Sequence, residues 1–197
     1  MRIYMSRSPA KVLEPGDVRL VLAHVEWQRH QLRNRVLVLL SFKAGLRACE
    51  MSGLTWPMVL ASDGRINDQI VIARSIAKKG SGRTLPLHAE LKTALRKLHR
   101  QEARPVAGHV IRSERGGRMN AGSIVNWFSA VYAELGLIGC SSHSGRRTFI
   151  TRSARVLAKT GGSLRDIQEL AGHRALTTTE RYIEGDRAAQ RRLIALL

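Results

Sequence analysis

Between Ser142 and Tyr182 the sequence reads SHSGRRTFITRSARVLAKTGGSLRDIQELAGHRALTTTERY, and its polar residues make joint sense as a site that handles phosphate. His143 and Arg146 stand three residues apart, so on a helix they share a face. Ile150, Ala154 and Leu157 continue that face at the spacing of a core-facing stripe. An arginine and a histidine leading an apolar stripe are costly to bury without a partner. The floor of a cleft that receives an anion would supply one. Further on, Ser163 and Asp166 form a capping-box pattern that opens a helix over Leu164 to Ala171. Gly172 is placed to end it, leaving His173 at its exit. Thr177 and Glu180 predict another helix start, with Tyr182 near its beginning. Each feature alone has an ordinary explanation: H-x-x-R arises by chance, and a histidine suits a helix C-terminus on electrostatic grounds. Their order and spacing are the informative part.

H-x-x-R at His143 to Arg146, A-G-H at Ala171 to His173, and a tyrosine nine positions after that histidine together resemble the catalytic core of the tyrosine recombinases, the phage-integrase family. The family's L-G-H is matched by Ala171-Gly172-His173, and its T-x-x-Y by Thr179-Glu180-Arg181-Tyr182. Two earlier stretches are similar to family motifs as well. Gly45-Leu46-Arg47 followed by Glu50 resembles G-L-R-x-x-E, and Lys78, Gly80, Arg83 and Pro86 fit K-x-G-x-x-R-x-x-P. The resemblance implies a role for each residue. Tyr182 would attack a DNA phosphodiester, giving a 3′-phosphotyrosine and a free 5′-hydroxyl. Arg47 and Arg146 would fork onto the non-bridging oxygens, with Glu50 supporting Arg47. His173 would add a donor in the transition state, and His143 would accept or orient the tyrosine proton. Lys78 is selected over Lys79, by one position, as the general acid for the leaving oxygen. Lys79, Arg83 and Arg147 would contact the DNA backbone. Without the later motif, Arg47 and Glu50 would read as an ordinary i,i+3 ion pair.

The charge agrees with a nucleic-acid partner. Thirty-three Lys and Arg against fifteen Asp and Glu give a net charge of +18, which calls for a polyanion, most simply double-stranded DNA. An anionic membrane is the rival, yet no run of 18 or more apolar residues is found, and the reading expects no signal peptide before the first charged helix. Cys49 and Cys140 show neither metal-site nor disulfide spacing, and H-E-x-x-H is missing, so no zinc site is expected; the cationic site that the resemblance implies requires no metal and no cofactor. The implied setting is a reducing cytoplasm, with the prokaryotic nucleoid as the place of work.

The elements that must hold these residues are mainly helical. A helix entering at Glu14-Pro15-Gly16-Asp17 carries Val18, Val21, Leu22 and Val25 at core spacing, and a second spans about Gln31 to Ala44, stopped by Gly45. Arg47, Glu50 and Leu54 would then share one helical face. Gln69 to Ile76 and Thr84 to Leu87 predict an antiparallel pair with a basic tip at Lys78 to Gly82. Helices resume over about Ala89 to Arg100 and Ala121 to Leu135, the latter packing Trp127, Phe128 and Val131 inward. The loop Arg112 to Arg118 is expected on the DNA side, and an extended helix–helix loop around Lys159 to Gly162. The fold class is therefore α+β, mainly α, with a small antiparallel β-sheet. Residues 1–13 read as a loose basic lead-in, 14–184 as the catalytic domain, and 185–197 as a tail helix presenting Ala189, Leu193 and Leu196. The family's N-terminal core-binding domain is expected to be absent. The resemblance further implies a monomer in free solution and a homo-tetramer on DNA, coupled through the tail. It points to a site-specific recombinase or integrase; a type IB topoisomerase uses a similar residue set, and a non-catalytic DNA-binding regulator would need only the charge.

Overall fold

The computed structural model describes residues 9–77, 80–182 and 194–195, and all structural statements below concern these residues. Lys78, Lys79 and nearly all of the expected tail helix lie outside them. Eight α-helices, a 3₁₀ turn (Trp56–Met58) and one two-stranded sheet are described: α1 (Pro15–Val25), α2 (Gln31–Lys43), α3 (Ala48–Gly53), β1 (Gln69–Ile72), β2 (Arg83–Pro86), α4 (Ala89–Gln101), α5 (Ala121–Glu134), α6 (Ser144–Thr160), α7 (Leu164–Ala171) and α8 (Leu176–Glu180). None of the described helices is long and apolar enough to cross a membrane.

The fold is built around α2. Residues Val36 to Leu40 are all fully buried, so this helix is apolar around most of its circumference, as a central core helix must be. It packs against α1, α4 and α6. α1 begins as expected: Glu14 is the N-cap, Pro15 opens the first turn, and the Glu14 amide donates to Asp17 Oδ2 at 3.0 Å. α4 presents Leu91, Ala94, Leu95 and Leu98 inward, and α5 presents Ile124, Phe128 and Val131. β1 and β2 pair antiparallel with Ile70 opposite Leu85, both buried, so the small sheet closes one side of the core.

A second, smaller cluster stands apart. Ile150 of α6 and Ile167 and Ala171 of α7 form it, with Phe149, Ala154, Leu157, Leu164 and Tyr182 packed around them. The predicted apolar stripe of α6 thus serves this satellite core. The α6 N-terminus, in contrast, is pressed onto α2. A Cβ added at Gly145 would stand 2.1 Å from Ser41 Oγ and 2.8 Å from Ser41 Cβ.

Several boundaries differ from the sequence expectation. Residues 9–13 are pinned rather than loose: Leu13 is fully buried, its amide donates to Thr148 Oγ1 at 2.9 Å, and its carbonyl accepts from Arg152 at 3.1 Å. α6 continues as helix to Thr160, where left-handed Gly161 stops it, so no extended loop lies around Lys159. The predicted first strand is shorter, ending at Ile72. Arg47 is the N-cap of α3, not part of its face, and Leu54 is its C-cap. α8 starts after Ala175, earlier than Thr177, and ends at Glu180, so Tyr182 follows the helix instead of opening it.

The contact at Gly145 yields a test. Gly→Ala inside a helix ordinarily stabilises by about 1 kcal/mol. Here overpacking against Ser41 should outweigh that gain at about 1–3 kcal/mol and lower the melting temperature of Gly145→Ala by roughly 5 °C. A higher melting temperature would show that α2 and α6 do not meet this closely.

Candidate active site

Local backbone chemistry explains how the functional side chains converge. The chain leaves α2 through Gly45, whose φ of +61° favours glycine, and turns so that Arg47 caps α3. Glu50, three residues on, is fully buried. Its Oε2 accepts from the Arg47 backbone amide at 2.9 Å and its Oε1 from Arg47 Nη1 at 3.1 Å. The same carboxylate takes a two-pronged contact from Arg83 of β2, at 2.8 Å to Oε1 and 3.0 Å to Oε2. Burial pushes the Glu50 carboxyl up, but the hydrogen bonds and charge of Arg83, then those of Arg47, outweigh this and hold it below its ordinary value.

From α6 comes Arg146, almost fully buried. Its Nη1 donates to the Gly45 carbonyl at 2.6 Å, and its Nη2 to the Ala171 carbonyl at 2.6 Å and to His173 Nε2 at 3.0 Å. Arg83 Nε donates to the neighbouring carbonyl, Leu170, at 2.9 Å. Two guanidiniums thus sit on the last carbonyls of α7, the end of a helix where cations are favoured. Burial and then the charges of Arg47 and Arg83 lower the Arg146 pKa to about 10, which leaves it charged at neutral pH.

Gly172, at φ +63°, ends α7 as expected and delivers His173. A Cβ there would also meet Arg83 Nη1 at 2.9 Å, so the position needs a glycine for space as well as for φ. His173 is held on both ring nitrogens, Nε2 by Arg146 and Nδ1 by Thr179 Oγ1 at 3.0 Å. Its backbone carbonyl accepts from Gln168 Nε2 at 3.0 Å. Burial, then Arg146, Arg47 and Arg83, depress its pKa to about 4, so the ring is neutral at pH 7. It stacks on Tyr182, with ring centroids 5.6 Å apart and planes 22° from parallel. Tyr182 is further fixed by its amide to the Thr179 carbonyl at 3.0 Å and by Thr151 Oγ1 to its own carbonyl at 3.3 Å. Arg147 lies over the tyrosine ring, 5.8 Å from its centroid.

A cleft of about 330 Å³ is lined by Arg47, His143, Arg146, Gly172, His173, Arg174, Thr178 and Tyr182. Five of the sequence candidates therefore meet in one place, with His143 exposed at the α6 N-cap. Lys78 and Lys79 lie outside the described residues. Arg83, expected against DNA, has a side chain only 6% exposed and spends its fork on Glu50 and Leu170. The loop Arg112 to Arg118 closes on itself by a bridge between its ends and does not line the cleft. No sequence signal points to Arg174, Thr178 or Gln168, and Thr179 is marked only as the first residue of T-x-x-Y. Among the described residues no group of three or more His, Cys, Asp and Glu could hold a metal ion.

The neutral, buried His173 makes stability depend on pH. Its folded pKa of about 4 lies below the ordinary 6.5, so between these values the unfolded chain binds more protons and stability falls as pH falls. The loss is up to about 3 kcal/mol. His173→Gln should flatten the melting temperature against pH across that window, relative to the unaltered chain. Superimposable slopes would show that His173 is not held neutral.

The chain matches the model of the phage integrase family over residues 11–188. It is similar to the tyrosine recombinase XerC of Mesorhizobium japonicum, 31% identical over 195 residues, covering 92% of this chain and 57% of the relative. XerC of Pelobacter propionicus is 28% identical over 159 residues, covering 80% of this chain and 49% of the relative. The chain thus spans about half the length of the curated relatives it matches. Among solved structures, the Tn1549 transposon integrase in complex with a circular intermediate DNA superposes with a TM-score of 0.75 at 17% identity, over 99% of this chain and 68% of that one. The XerA recombinase gives a TM-score of 0.72 at 20% identity, over 96% and 66%. These likenesses carry the fold, and the family match, extending over nearly the whole sequence, shows that the chain belongs to the phage integrase family of tyrosine recombinases.

Proposed function

We propose that this chain is the catalytic domain of a site-specific DNA recombinase that breaks and rejoins strands through a 3′-phosphotyrosine. The observation that carries the reading is the convergence of Arg47, His143, Arg146, His173 and Tyr182 on one cleft in a chain of net charge +18. Matching relatives that are tyrosine recombinases support recombination over topoisomerase-like relaxation or regulation by binding alone.

In the first step the Tyr182 Oη–phosphorus bond forms and the bond from phosphorus to the 5′-oxygen breaks. The tyrosine proton passes to His143 or to a water it orients, and Lys78 supplies the proton to the departing 5′-oxygen. Attack by the 5′-hydroxyl of another strand reverses these transfers and reseals the backbone. Arg47 and Arg146 neutralise the non-bridging oxygens as charge gathers on the pentacoordinate phosphorus.

His173 enters differently from a standing cation. In the free chain its Nε2 accepts from Arg146, so it has no proton there to offer. A phosphate that draws Arg146 Nη2 away frees Nε2. The Thr179 hydroxyl can accept from Nδ1 or donate to it, so the ring can move its proton to Nε2 without losing a hydrogen bond. His173 then becomes a neutral donor to the transition state. Lys79 and Arg147 add backbone contacts. On DNA the chain assembles as a homo-tetramer from free monomers.

The test is covalent capture. The chain is incubated with a pool of random-sequence duplexes carrying nicks, and DNA that survives boiling in detergent attached to protein is recovered and sequenced. The unaltered chain should yield an adduct and Tyr182→Phe none. On a recovered sequence, Arg146→Ala should cleave about 10²–10³-fold more slowly. Its DNA affinity should change little, because many other cations contact the backbone. An adduct from Tyr182→Phe, or none from the unaltered chain, would refute the reading.

A further inference from the structure

The Glu50 carboxylate raises a question of charge. Three guanidiniums, those of Arg47, Arg83 and Arg146, surround this region, and among the described residues they share one buried carboxylate. An arginine locked in a neutral pair with that carboxylate has little attraction left for phosphate. Which arginine Glu50 neutralises therefore decides how positive the cleft is.

The geometry separates the candidates. Arg83 meets Glu50 with both terminal nitrogens, at 2.8 and 3.0 Å, one to each oxygen. Arg47 offers a single side-chain hydrogen bond, longer at 3.1 Å, and its other contact to Glu50 is its backbone amide. The Arg83 side chain is 6% exposed and outside the cleft lining, whereas that of Arg47 is 17% exposed and lines the cleft. Arg83 is also anchored through Nε by the Leu170 carbonyl, which helps to hold its fork on Glu50.

The structure assigns Arg83 as a positioning residue: by taking both oxygens of Glu50 it leaves the Arg47 guanidinium, held by a single longer contact, only partly compensated and lining the cleft where an oxyanion would bind. The assignment rests on the reading of that cleft as a phosphate site. Without Arg83, Glu50 would collapse onto Arg47, which already holds one of its oxygens. Arg47 would become half of an ordinary ion pair of no net charge, and the cleft would lose Arg47 as a contact for phosphate. Arg83 thus acts on the anion through Arg47 without touching it.

A double substitution distinguishes this from simple scaffolding. The full chain carrying isotope-labelled histidine is titrated with inorganic phosphate at pH 7, following the His173 ring resonances. In the unaltered chain they should shift saturably. Arg83→Gln should weaken phosphate binding about tenfold or more, the effect of losing one charge-assisted hydrogen bond. Adding Glu50→Gln to Arg83→Gln should restore affinity to within about threefold. The amide oxygen can still cap the Arg47 backbone N–H but no longer competes for its charge. Melting curves and backbone amide spectra establish that each protein is folded.

Arg83→Lys keeps the charge and should bind phosphate within about threefold of the unaltered chain even if it melts earlier, which covers the case in which Arg83→Gln does not fold. The assignment is overturned if folded Arg83→Gln binds phosphate normally, or if the double variant is no better than the single one. A folded Arg83→Lys that loses about tenfold, or no response of His173 in the unaltered chain, overturns it equally. Failure of covalent capture with this phosphate series intact would remove the recombinase reading and leave the role of Arg83 standing.

Discussion

Burial of the Glu50 carboxylate is the constraint on which the site depends. A fully desolvated carboxylate survives only if cations and hydrogen bonds replace its water, and breaking such a pair is costly. Satisfying it fixes three things at once. The backbone must turn after Gly45 so that the Arg47 amide can cap onto the carboxylate. The sheet must lie where Arg83 of β2 can reach it. And Arg83, committed there, carries its Nε–H to the end of α7. One buried charge thereby joins the main core to the segment that bears His173 and Tyr182.

The second join is Arg146. It links Gly45, at the exit of the central helix, to Ala171 and His173. The tyrosine rests on a satellite cluster led by Ile150, Ile167 and Ala171, separate from the main apolar core. Small clusters of this kind contribute modest apolar burial, so polar anchors carry much of the positioning. The arrangement brings anchored cations and a tyrosine held by local contacts to one cleft. A neutral His173, bonded to Arg146 and stacked on Tyr182, adds no further positive charge beside Arg146.

Periodicity and cap signals made most elements legible. Glu14-Pro15, Ser163 with Asp166, and Gly172 act within a few residues, and the helices they bound fall where the sequence places them. Motif spacing gathered Arg47, Arg146, His173 and Tyr182 as one group, because family motifs encode a shared cleft. What stayed hidden depends on distant neighbours. Nothing local says that Arg83 would find Glu50 thirty-three residues earlier in the chain and turn inward. Thr177 and Glu180 imitate a capping box, but tertiary packing begins α8 after Ala175 instead. Gly172 announced a helix end, while its second use, as clearance for Arg83, appears only when two elements are superposed.

The most direct measurement is a crystal structure of the chain with tungstate, a tetrahedral oxyanion whose scattering locates it unambiguously. The expected result is one oxyanion in the cleft, bonded to Arg47 and Arg146 and within reach of the Tyr182 hydroxyl, with Arg83 still seated on Glu50. An empty cleft, or one in which Arg47 has folded onto Glu50 while Arg83 holds the anion, would contradict the division of labour among the arginines.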